Sequence, residues 1–187
     1  YALYRIRLSF ETPDIPVATV KVLEAIGATP QGTSAVWRYL CDLDLAGRIE
    51  ANNLPVDHPL FLLLAEPRRA RYAMHDALWV RIMNIETALP ARSYGSSESI
   101  VLEIDDALCP WNQGRFRLDG ETGRVERTHA HADVRMPVGS LGSAYLGGIS
   151  FLRMAEVGAV EAKSPEAIEK ADRLFRSNRA PWCPEIF

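Results

Sequence analysis

The stretch Gly114-Arg115-Phe116-Arg117-Leu118-Asp119-Gly120-Glu121-Thr122-Gly123-Arg124-Val125-Glu126 decides the fold class. Charged and apolar residues alternate through Arg115-Phe116-Arg117-Leu118, the period of a strand with one wet and one dry face. Asp119-Gly120-Glu121-Thr122-Gly123 supplies hairpin-turn chemistry, and a second strand follows over Arg124 to Thr128. Further strands are predicted at Leu78 to Met83, Ser99 to Asp105 and Asp133 to Met136. A helix near Glu86 to Ala91, with Asn84 as its cap, interrupts the first two. Helices then close the chain: Val138 to Leu146, one capped by Ser150 and stopped by Gly158, and one opened by Ser164-Pro165-Glu166 with Ile168, Ala171 and Phe175 on one face. The expectation is an α+β domain over residues 77–187, an antiparallel sheet covered by helices.

Upstream, strand and helix alternate. Val17 to Glu24 reads as a strand ended by Gly27. Thr29-Pro30 then caps a helix whose apolar face is Val36, Leu40 and Leu43, with Trp37 beside them, ending near Asp44. Arg48 to Ala51 is a short strand, Asn52-Asn53-Leu54-Pro55 a turn, and Leu60 to Ala65 a short buried helix before Pro67. The chain opens on Tyr1-Ala2-Leu3-Tyr4-Arg5-Ile6-Arg7, a strand already under way, with Leu3 and Arg5 on one face and Tyr4 and Ile6 on the other. A domain seldom begins so without an earlier partner strand, so residues 1–76 read as an incomplete α/β piece and the chain as a fragment.

Composition bounds the function. The 187 residues suit one or two domains, and 48% hydrophobic with 24% charged residues is globular rather than disordered. A net charge of −3 gives no electrostatic reason to expect nucleic acid. The longest apolar run, Leu60 to Ala65, is far below the roughly 20 residues of a membrane span, so no membrane partner is expected. Cys41, Cys109 and Cys183, an odd count at scattered spacing, are no disulfide framework, and the expected compartment is the cytoplasm.

Isolated motifs weigh little. His129-Ala130-His131-Ala132-Asp133 could offer two imidazoles and a carboxylate to a metal, but no fourth ligand lies nearby and an exposed hairpin loop is the plainer reading. Asp57-His58 precedes Pro59, which makes Asp57 a capping residue by default. His75-Asp76 marks the presumed domain junction, and neither histidine is paired with a nucleophile. Arg68, Arg69 and Arg71 read as a solvated face. Cys109-Pro110 and Cys183-Pro184 read as packing turns. The tail Asn178-Arg179-Ala180-Pro181-Trp182-Cys183-Pro184-Glu185-Ile186-Phe187 is different. Frayed tails are polar and flexible; this one is stiffened by proline and carries apolar anchors, so it should be docked. Docking would fix the Phe187 carboxylate, and with it that of Glu185; sealing the core or an oligomer interface would account for the same pattern.

Five ordered blocks carry a resemblance: Trp37-Arg38-Tyr39-Leu40-Cys41-Asp42-Leu43-Asp44, Leu78-Trp79-Val80-Arg81-Ile82, Cys109-Pro110-Trp111-Asn112-Gln113-Gly114, Tyr145-Leu146-Gly147-Gly148 and Arg179-Ala180-Pro181-Trp182-Cys183-Pro184. Across essentially its whole length the chain resembles the Eis (enhanced intracellular survival) family of bacterial N-acetyltransferases. That family joins an acetyl-CoA-binding GNAT domain, a central GNAT-like domain and a sterol-carrier-like domain. The resemblance implies that residues 1–76 are the later part of the central domain, that 77–187 are the sterol-carrier-like domain, and that acetyl-CoA is bound by an N-terminal domain absent from this chain. GNAT domains cradle the cofactor's pyrophosphate with Arg/Gln-x-x-Gly-x-Gly/Ala. The nearest match, Arg117-Leu118-Asp119-Gly120-Glu121-Thr122, lacks the last small residue and lies in a hairpin.

The resemblance also implies roles. The C-terminal carboxylate serves the family as general base, which by position falls to Phe187. An ammonium has no lone pair for a thioester, and a carboxylate near the amine can take its proton, directly or through water. Glu185 would attract a cationic acceptor and Trp182 would wall the pocket. No tyrosine here inherits the family's general acid. The first reading is thus an acetyltransferase acting on aminoglycoside-like or lysine-like amines, homo-oligomeric and expected as a hexamer. An apolar-ligand carrier and an oligomer scaffold are the alternatives.

Overall fold

The computed structural model describes residues 1–12 and 15–185, and the chain divides into two compact units. The first comprises residues 1–75 together with the tail from Trp182; the second runs from Asp76 to Pro181.

In the first unit β1 (Ala2–Thr12), β2 (Ile15–Ala25) and β3 (Ala46–Ala51) form a sheet in that order. The β1–β2 pair is antiparallel and β2–β3 parallel, the crossover between them containing helix α1 (Pro30–Cys41). β1 finds one partner downstream in β2 and stands at the edge of this sheet. Ala18, Val20 and Val22 alternate inward along β2, and the two valines pack with Trp37 and Leu40 of α1. The Thr29 hydroxyl accepts from Gly32 N at 3.0 Å, the cap the sequence predicts. The short helix α2 (Leu60–Leu63) corrects another expectation, since none of its residues is buried and Leu62 is 90% exposed. One turn presents one face, and only Leu60 reaches the core.

The second unit holds a five-stranded sheet in the order β6-β5-β4-β7-β8. Its strands are β4 (Ser99–Asp105), β5 (Gly114–Asp119), β6 (Val125–Arg127), β7 (Val134–Pro137) and β8 (Glu161–Ala162). Leu102 of β4 faces Phe116 on one side and Val134 on the other, and all three are buried. One residue along, Glu103 faces Arg115 and Arg135. The alternation of the hairpin thus becomes a dry face and a charged face. The sheet is mixed rather than antiparallel, because β4 and β7 are parallel. Residues 128–133 are consequently not a hairpin: β6 and β7 lie on opposite sides of the β5–β4 pair.

Leu78 to Met83 enters no ladder, contrary to the expectation; the strands beside β4 are β5 and β7. Side chains hold it instead. Arg81 donates to buried Asp106 at 2.6 Å, and Asn112 Nδ2 donates to the carbonyls of Ile82 and Met83.

Helices α3 (Ile85–Ala88), α4 (Val138–Tyr145), α5 (Phe151–Glu156) and α6 (Pro165–Phe175) cover the dry face. Asn84, Ser150 and Ser164 accept from Thr87 N, Arg153 N and Ala167 N as N-caps. Ile168, Ala171, Leu174 and Phe175 form the buried stripe of α6. The ends of α4 and α6 meet at one side chain: Arg92 donates from Nη1 to Tyr145 O at 2.5 Å and from Nη2 to Phe175 O at 3.1 Å. Its guanidinium lies 4.6 Å from the Phe175 ring centre. Asp133 is a second node, its carboxylate accepting from Val101 N at 2.9 Å and pairing with Lys163 and Lys170.

Arg92→Ala strands two helix-end carbonyls and should lower unfolding free energy by about 2–3 kcal/mol in urea. Arg92→Lys should recover only part of this, since an ammonium lacks the planar fork. Burial alone would raise the Asp133 carboxyl above its ordinary value of 3.8, but the Lys163 bond, the Val101 N–H and the lysine charges outweigh it and hold it below. The stabilisation it gives is therefore complete above the unfolded value and is lost as pH falls through the lower native one. Asp133→Asn should cost stability at pH 7, and its gap to the parent chain should narrow below about pH 4.

Candidate functional site

The tail begins where α6 stops. Ser177 Oγ donates to Arg179 O at 2.8 Å and turns the chain beyond Phe175. Gly147, which ends α4 at φ +77°, lies against this turn; a Cβ there would stand 2.5 Å from Ser177 Cβ. A Cβ on Gly148 would meet Pro181 Cγ at 3.0 Å. The two glycines of the Tyr145-Leu146-Gly147-Gly148 block thus admit the first part of the tail to the surface of the second unit.

Residues 182–185 belong to the first unit, where one residue grips them. Asn53, just past β3, accepts from the Trp182 indole N–H through its main-chain oxygen at 2.8 Å. It donates from Nδ2 to Pro184 O at the same distance. Its backbone is left-handed, φ +57°, a conformation asparagine tolerates better than most residues. The tail is docked as its composition predicts, but through hydrogen bonds rather than burial: Trp182 remains 46% exposed and Glu185 is exposed. Cys183 Sγ lies 3.8 Å from Glu185 O. Phe187, the expected base, and Ile186 lie outside the described residues. Asn53 was legible in the sequence only as turn material, and nothing local connects it to residues about 130 positions away.

The other candidates have structural occupations. Among the described residues no group of three or more His, Cys, Asp or Glu could hold a metal, and Asp133 is engaged with Val101 and two lysines. His58 Nδ1 accepts from Leu60 N at 3.0 Å, and burial pushes its imidazole below the ordinary value, with Asp57 offsetting part of the effect. Asp76 accepts from the Trp79 indole at 3.1 Å. Cys109 is buried, its N–H donating to Asp106. Burial raises the Cys41 thiol above its ordinary value, the wrong direction for a nucleophile. A cleft of about 400 Å³ is lined by Arg115, Arg127 and His129, but both arginines are already paired, with Glu103 and Glu86. The Arg117 to Thr122 segment is strand and turn, the Asp119 carboxylate accepting from Thr122 N and Oγ1.

Comparison with known proteins gives these features a setting. Residues 85–184 match the sterol carrier protein domain and residues 1–82 the acetyltransferase (GNAT) domain. An uncharacterized N-acetyltransferase of Streptomyces avermitilis is 36% identical over 189 aligned residues, covering 100% of this chain and 46% of the relative. N-acetyltransferase Eis of Mycobacterium tuberculosis is 36% identical over 184, covering 95% and 42%. The crystal structure of Eis1 from Mycobacterium abscessus superposes with a TM-score of 0.84 at 33% identity, over 100% of this chain and 48% of that one. A GCN5-related N-acetyltransferase from Anabaena variabilis shares the fold, with a TM-score of 0.76 at 20% identity. The chain spans about half the length of the curated relatives it matches. Because the GNAT match lies inside this chain, it gives no support to the expectations that the chain is a C-terminal portion only and that acetyl-CoA is bound by an absent domain. With the sterol carrier match covering more than half of its length and N-acetyltransferase relatives aligned along all of it, the chain belongs to the Eis family of GNAT N-acetyltransferases.

Proposed function

We propose that the chain forms part of an N-acetyltransferase that moves an acetyl group from acetyl-CoA to the amine of an aminoglycoside-like or lysine-like acceptor. One observation carries the reading: relatives named N-acetyltransferase align along the whole chain, including its tail. The attachment of residues 182–185 beside Asn53 supports it, since a tail that supplies a reacting group must be held.

In this reading the α-carboxylate of Phe187 takes a proton from the acceptor ammonium, directly or through a water, and frees the nitrogen lone pair to attack the thioester carbonyl. An α-carboxyl ordinarily titrates at about 3.3–3.7, so it is ionised at neutral pH and attracts the cation electrostatically before it acts as base. Exposed Glu185 adds to that attraction, and Trp182 offers an aromatic wall against the acceptor. A homo-oligomer, expected as a hexamer, belongs to the same reading. The apolar-carrier alternative gains nothing from the geometry, because Phe116, Met136, Leu141, Phe151 and Leu174 fill the space between sheet and helices. Among the described residues no helix is long and apolar enough to cross a membrane.

In the full-length enzyme, deleting Phe187 should lower kcat by about 10²–10⁴-fold, the range a general base supplies. Acetyl-CoA affinity, measured by calorimetry, should stay within a few-fold. Unchanged turnover would remove the base assignment.

A further inference from the structure

We infer that Asn53 is the positioning residue for the C-terminal tail, and so sets where the general base works; this rests on the acetyltransferase reading above. The geometry is specific. Two bonds of 2.8 Å leave one residue in opposite roles, the main-chain oxygen accepting from Trp182 and the side-chain amide donating to Pro184. The left-handed backbone at φ +57° allows both groups to face the tail at once. Between the gripped positions lies only Cys183, and Pro184 has a fixed φ, so the held segment has little freedom.

The clamp lies close to the chemistry along the chain. Phe187 is three positions beyond Pro184, and a chain of that length reaches at most about 11 Å. Holding Pro184 leaves the proposed base a short tether, whereas a released tail would be held at Pro181 beside Gly148. The tether would double from three residues to six. A base that must meet an amine within hydrogen-bond distance is sensitive to such spreading. Asn53 touches no reacting atom in this scheme and acts through the tail.

The decisive variant is Asn53→Gly in the full-length enzyme. Glycine adopts the left-handed backbone without strain and keeps the carbonyl that accepts from Trp182, so only the bond to Pro184 is lost. The expected result is a fall in kcat of about fivefold, the factor one ordinary hydrogen bond represents, with KM for acetyl-CoA within twofold and an unchanged Tm. Solvent exchange of the Trp182 indole N–H, followed by NMR, should quicken, because the clamp that holds it has lost one of its two bonds. Asn53→Asp, which tolerates the same backbone but has no amide to donate, should behave alike, and adding Trp182→Phe to Asn53→Gly should lower kcat further. Faster tail exchange with a parental kcat would overturn the positioning role and leave the acetyltransferase reading standing. Unchanged tail exchange in Asn53→Gly would overturn the clamp itself, whatever the activity. Absence of acetyl transfer by the parent enzyme would instead overturn the reading, and the positioning role with it.

Discussion

The guanidinium of Arg92 is the interaction on which the second unit depends. Every helix ends in carbonyls without intrahelical partners and with a partial negative charge. Here α4 and α6 end at the same place, and one cation answers both through Tyr145 O and Phe175 O. The fork lies over the Phe175 ring, where the flat, weakly hydrated face of arginine can sit against apolar surface as lysine cannot. Burial lowers its pKa from the ordinary value, with the tyrosines Tyr94 and Tyr145 acting the other way. The departure points of the Gly147-Gly148 turn and of the tail at Ser177 are thereby fixed relative to each other, which is why the close approaches of glycine to Ser177 and Pro181 can exist.

The same device recurs wherever the chain cannot use a sheet ladder. Asp106 accepts from Leu108 N, Cys109 N, Asn112 and Arg81, and so holds both its own loop and the segment ending at Met83. Asp133 ties β4 to the residue just past β8 and to α6. A buried carboxylate is costly unless its lone pairs are satisfied, and both are satisfied several times over. The unit therefore combines an ordinary apolar core with two charged nodes at its margin. The core fixes the layers; the nodes fix the loops.

What the sequence made legible was local. Periodicity placed the hairpin around Asp119-Gly120 and the apolar stripe of α6. Short-range cap chemistry at Thr29, Asn84, Ser150 and Ser164 placed four helix starts, because a cap and its N–H lie three residues apart. The illegible features all join distant residues. The parallel pairing of β4 with β7, the two-residue β8 and the failure of Leu78 to Met83 to enter a sheet are decided by pairings between distant segments, not by local propensity. Arg92 reaches Phe175 across 83 positions, and Asn53 reaches Pro184 across 131. At the candidate site the stiffened tail and Trp182 could be read directly, while their partner could not.

The clamp on the tail differs from the nodes of the second unit in its energetics, and that difference bears on what it is for. Arg92 and Asp133 act in partly or wholly buried surroundings, where losing a partner leaves a desolvated polar group and costs folding stability. Asn53, Trp182 and Pro184 form their bonds at exposed positions. Water can replace either bond, so each contributes only about 1 kcal/mol net. Interactions that weak do not decide whether the unit folds. They do decide where a short tail spends its time, since 1 kcal/mol shifts a two-state equilibrium by about fivefold. A tail held this way can be placed, displaced and placed again without disturbing the core beneath it. Stability and position are thus assigned to different residues, and the position of the tail rests on an asparagine that the fold itself can do without.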